Sequence, residues 1–84
     1  MIETKDRAAP SGEDGYTRLA NAIVIRAAQD YRQALRALKR NPRNSTAQDN
    51  IREIEHFFRS GWYQELTDVD GEYLIEMLQK EELR

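Results

Sequence analysis

The chain has 84 residues, a net charge of −2 and no cysteine. That length allows one small domain and excludes a second. It also leaves no disulfide framework or thiolate metal site to support a marginal core. Charge divides along the chain: residues 1–44 carry nine Lys/Arg against five Asp/Glu, and residues 45–84 carry four against ten. Such a division suits pairing within the fold, pairing between copies, or two faces for different partners.

Residues 1–13 hold charges, Pro10 and Gly12 and have no apolar core of a secretory signal, so they are expected to form a flexible, disordered N-terminal arm. No apolar run reaches the length of a membrane span. The expectation is a soluble protein of the cytoplasm with no membrane partner. Residues 14–84 are expected to form a single all-α domain.

A first helix is predicted over about 14–40. Tyr16, Ala20, Ile23, Ala27, Tyr31, Ala34 and Leu38 recur at helical spacing within an arc of about 80°. Lys39 and Arg40 suit its C-terminus, and Asn41-Pro42 ends it. Ser45 with Gln48, or Thr46 with Asp49, offers a capping box for a second helix over about 46–59, whose stripe is Ala47, Ile51, Ile54 and Phe58. The short connection makes an antiparallel hairpin of these two. Ser60-Gly61 then breaks the chain, Ser60 caps a single turn "GWYQEL", and Thr67, Asp68 or Asp70 caps a last helix over about 70–82. There Tyr73, Leu74, Met77 and Leu78 are expected to share the inner face.

The second and last helices are each about half the length of the first. Either they cover successive halves of it, or part of it packs on another chain. Ile25, on a face with Arg18, Arg32 and Arg36, together with Ala22, Ala28 and Leu35, leaves surplus apolar surface that favours a homodimer or higher homo-oligomer.

Residues 56–75, "HFFRSGWYQELTDVDGEYLI", hold six aromatic rings, counting the imidazole, and four acidic groups. A calcium loop fails there: with Gly71 at the sixth position, Leu66 and Met77 stand where carboxylates are required. Asp68 and Asp70 read instead as helix caps. His56 is the sole histidine and faces outward, so no thiol–imidazole pair or multi-histidine site can form. The glycines stand apart, so there is no phosphate loop. No enzyme activity, cofactor or metal is expected. Phe58, Trp62, Tyr73 and Phe57 are expected to fill the corner between helices, with Trp62 and Tyr63 as the alternative anchors for a partner. The strongest binding feature is basic: Arg32, Arg36, Lys39 and Arg40, followed by Arg43, suit phosphate or a carboxylate-bearing partner. The acidic second half weighs against general duplex binding.

The run "FFRSGWYQELTDVDGEYLIEML" after "ANAIVIRAAQDYRQALRALKRNP" resembles small helical proteins encoded in phages and prophages of Gram-positive, clostridia-like bacteria. The matching positions are Ala20-Asn21-Ala22, Asp30-Tyr31-Arg32, Phe57 to Ser60, Trp62, Leu66-Thr67, Val69-Asp70-Gly71 and Tyr73-Leu74-Ile75, so the resemblance spans about 16–80. Gly61 departs from it, where a larger or charged residue is more usual, and is expected to loosen the hinge. The resemblance implies a setting in the host bacterial cytoplasm rather than a mechanism. The expected function is a non-enzymatic protein that binds and blocks a host component, such as a CRISPR effector. The alternatives are an oligomeric sponge for a nucleotide immune signal, and a phage structural or DNA-packaging adaptor.

Overall fold

The structure, a computed structural model, describes residues 15–83. The expected arm at 1–13 lies outside the described residues. Four helices follow one another: α1 (Gly15–Arg40), α2 (Ser45–Phe58), α3 (Gly61–Leu66) and α4 (Gly71–Leu83). No strand occurs among the described residues, and no helix there is long and apolar enough to cross a membrane.

Local chemistry sets each boundary. The N-cap of α2 is Asn44, not Ser45 or Thr46: its side chain accepts from the Ala47 N–H at 3.0 Å. The turn explains the shift. Asn41 accepts from the Asn44 N–H through its carbonyl and from the Arg43 N–H through its side chain, so the turn closes at Asn44. Ser60 caps α3 as expected, accepting from the Tyr63 N–H at 3.1 Å, and its hydroxyl donates to the Phe57 carbonyl at 2.7 Å. One side chain thus closes the end of α2 and the start of α3. Asp70 serves α4, accepting from the Glu72 N–H at 3.0 Å.

The core comprises Tyr31 and Leu35 of α1, Phe58 of α2, Tyr63 of α3, and Ile75 and Leu78 of α4. Each helix contributes to it, so none is an appendage. Phe57 and Phe58 pack edge-on against Tyr63, with ring centroids 5.7 and 5.6 Å away. Two expectations are corrected here. Trp62 and Tyr73 lie outside the core, 58% and 57% exposed, while Tyr63 is 1% exposed inside it. A step of one residue turns a helix by 100°, so burying Tyr63 with Leu66, and Ile75 with Leu78, rotates Trp62, Tyr73 and Met77 outward. Leu35, expected as surplus surface, is buried.

Helix α1 packs against α2, α3 and α4. Helix α4 reaches it through Gln79 to Tyr31, Glu81 to Arg32, and Glu82 to Arg36 and Lys39. These partners ascend together, so α4 runs in the same direction as α1. Phe58, the last residue of α2, meets Tyr31 with ring centroids 5.8 Å apart. Helices α2 and α4 therefore gather on the C-terminal part of α1 rather than covering successive halves. The reason is that α3 and its flanking turns carry the chain back across the base of the bundle to start α4 beside the end of α2.

Gly71 makes that return possible. A Cβ there would stand 2.0 Å from the Phe58 carbonyl oxygen, so only glycine lets α4 begin against α2.

Candidate functional site

The basic residues singled out in the sequence do not form one open patch. Arg36 makes a forked contact with Glu82, at 2.9 and 3.4 Å. Arg32 donates through two nitrogens to Glu81 at 3.2 and 3.1 Å. Lys39 donates to the Glu82 carbonyl at 3.3 Å, where the C-terminal end of α4 favours a cation. The positive first half and negative second half thus meet within one chain. The Arg36 contact holds the Glu82 carboxyl below the usual carboxylate range, and Glu82 in turn raises the Arg36 guanidinium. Arg40 and Arg43 stand beyond this clamp, exposed and with no ion pair among the described residues.

A second polar chain crosses the middle of the bundle. The Tyr31 hydroxyl donates to Glu55 at 2.5 Å and accepts from Gln79 at 3.0 Å, joining three helices at one atom. Burial and then the Glu55 bond push its phenol well above the ordinary range. Arg59 continues the chain, donating to Glu55 at 3.5 Å and pairing with Glu72, whose carboxyl it holds below the usual range. Tyr31 and Arg59 are therefore structural joints.

The anchors also separate. Trp62 is outside, with its ring edge-on to Phe57 at 5.4 Å. Tyr63 is inside, where burial and then Asp70 raise its phenol, and its hydroxyl finds no hydrogen-bond partner among the described residues. Among the described residues, no group of three His, Asp or Glu is placed to hold a metal ion.

Apolar side chains are exposed on both helices that these ion pairs join. Ile25 lies on the same side of α1 as Arg32 and Arg36, and is 56% exposed. The register of α1 with α4 sets Ile25 level with the first turn of α4, where Tyr73 is exposed, and Met77 is exposed one turn further on. Ile25 on α1 and Tyr73 and Met77 on α4 are thus exposed on the two helices that the Arg32–Glu81 and Arg36–Glu82 pairs join, and Tyr73 also lines a hollow with Arg59, Glu72 and Gln79. Sequence reasoning found Ile25 and the arginines but assigned Tyr73 and Met77 to the core. The one available signal was Ile75, whose burial forces the other two outward.

No protein-family model, curated protein or solved structure matches this chain.

Proposed function

We propose that this chain is a phage-encoded, non-enzymatic binding protein that docks on a host protein in the bacterial cytoplasm and blocks it, a defence effector such as a CRISPR nuclease being the target class. The observation that carries the reading is the exposure of Ile25, Tyr73 and Met77 on the two helices that the Arg32–Glu81 and Arg36–Glu82 pairs join. Protein interfaces pair an apolar centre with a polar rim and are enriched in aromatics, Met and Arg. Arginines already held by Glu81 and Glu82 lose less side-chain freedom on docking, which favours affinity. The phage-like motif supplies the setting.

The scaffold for these side chains is read as an antiparallel hairpin of α1 and α2 with α4 laid beside it. The turn between Arg40 and Ser45 and the Tyr31–Glu55 bond support it. The second reading, a nucleotide sponge, draws on Arg40 and Arg43, which offer guanidinium groups with no carboxylate partner among the described residues.

The test is protection of invading DNA in a host carrying an active CRISPR nuclease, scored with wild type, Ile25→Glu/Tyr73→Glu and Arg40→Ala/Arg43→Ala. Wild type should protect and the first variant should not, with helicity unchanged, because truncating an interface anchor typically weakens binding by roughly 30-fold or more. Failure of wild type to protect removes the defence-effector reading. Loss with the second variant alone, with absorbance near 260 nm in purified wild type, favours the sponge.

A further inference from the structure

The side of α1 that faces α2 continues after α2 has ended. Ala34 and Ala37 line the groove between these helices together with Ala47 and Ile54. At 100° per residue, Tyr16, Leu19 and Ile23 fall on that same side of α1, nearer its start. Phe58, the last residue of α2, meets the Tyr31 ring, so the row lies on the N-terminal side of that contact, where α3 also packs on α1 and Ala20 is buried. Leu19 is 61% exposed, Tyr16 is exposed and Ile23 is half-buried. Trp62, on α3, is exposed and packs edge-on against Phe57 near the end of α2.

We propose that this row is the contact of a two-fold dimer, in which a second copy of the chain lays its own Tyr16, Leu19 and Ile23 antiparallel across them, with Trp62 at each end. The row suits its own copy for three reasons. It is uncharged, so two identical rows meet without repulsion, unlike the side of α1 that carries Arg32 and Arg36. A two-fold axis across α1 near Leu19 sets Tyr16 of each copy against the Ile23 end of the other, large ring to smaller side chain. The area also suffices: Tyr16, Leu19 and Trp62 expose on the order of 400 Å² in each copy. Doubled, and extended by flanking aliphatic stems, that approaches the roughly 1,000 Å² a specific interface needs. The contact is separate from Ile25, Tyr73 and Met77 and stands without the function proposed for them.

Sedimentation equilibrium of the full chain, with Leu19→Glu, Tyr16→Glu and Tyr73→Glu variants, tests this. Wild type and Tyr73→Glu should reach twice the 9.8 kDa chain mass across the micromolar range. Leu19→Glu and Tyr16→Glu should stay at one chain mass with unchanged helicity, and either suffices if the other fails to fold. Trp62 is the sole tryptophan, so its emission should shift to shorter wavelength as wild type is concentrated and stay constant in Leu19→Glu. A doubled mass in both row variants, a single-chain wild type, or a dimer lost in Tyr73→Glu overturns the proposal. If wild type is single and removal of residues 1–12 doubles the mass, the row is covered by the chain's own first residues, and the second copy is again excluded.

Discussion

Gly61 and Gly71 sit ten residues apart and have opposite surroundings. Nothing lies within 4 Å of a Cβ built on Gly61, whereas one on Gly71 would collide with the Phe58 carbonyl. Gly71→Ala must push α4 away from the end of α2 and is expected to destabilise by about 2–3 kcal/mol, in the range of overpacked cores. Gly61→Ala is expected to stabilise by about 0.4–1 kcal/mol, because it removes unfolded-state freedom at a helical position. Urea denaturation of both variants checks the pair, and equal shifts would mean that Gly71 is not the contact. Phe58 is 1% exposed and touches Tyr31 and Tyr63 by ring edges, so Phe58→Ala should cost about 3–5 kcal/mol. A loss below about 1 kcal/mol would place Phe58 outside the core.

At the scale of elements, α4 is held to its neighbours by exposed charge as well as by Ile75 and Leu78. Glu72 and Glu82 have lowered carboxyl pKa values because Arg59 and Arg36 hydrogen-bond their ionised forms. The sign follows from linkage. A carboxylate depressed in the folded state contributes stability that is present above its unfolded pKa of roughly 4.3. That contribution is lost as pH falls through the lowered folded value. Thermal melts between neutral pH and about pH 3 should therefore show stability falling below roughly pH 4.3, and Glu72→Gln with Glu82→Gln should flatten that slope. Glu72 is exposed and Glu82 half-buried beside solvent-exposed Arg36, so the slope should shrink in high salt as well, more for the Glu72 contribution. An unchanged slope in the double variant would assign acid sensitivity to other carboxylates. Helix α3 depends on its cap: Ser60→Ala, which frees the Tyr63 N–H and removes one of the two donors to the Phe57 carbonyl, should cost about 1 kcal/mol.

For the whole molecule, α1 is unlike on its two flanks. One carries exposed Ile25 with the paired Arg32 and Arg36. The other carries the uncharged row of Tyr16, Leu19 and Ile23. If the row joins two copies, the melting temperature should rise with protein concentration, because dimerisation stabilises the fold by mass action. That rise should survive added salt, since no ion pair is part of the contact. A melting temperature independent of concentration would leave the row without a second copy.

The helices themselves were legible in the chain order of residues. Narrow stripes at a period near 3.6, Asn41-Pro42 as a stop, Ser60 and Asp70 as caps and the absence of strand patterning are local signals, and each acts through its own backbone. The arginine cluster was legible as charge, but not its partners. Arg32 with Glu81 and Arg36 with Glu82 are more than 40 positions apart, and only the direction of α4 along α1 brings them together. The inner face of α4 and the choice between Trp62 and Tyr63 were likewise decided by tertiary packing. Both rings suit a core, and a stripe of one short turn cannot say which of two adjacent residues faces it. The close approach at Gly71 settled the entry of α4, and with it which aromatic rings are buried and which are exposed. Periodicity and caps fix where a helix begins and ends, because they act within a turn. The rotation of a helix about its own axis is fixed by what it packs against, and for α3 and α4 those neighbours lie far away in the sequence.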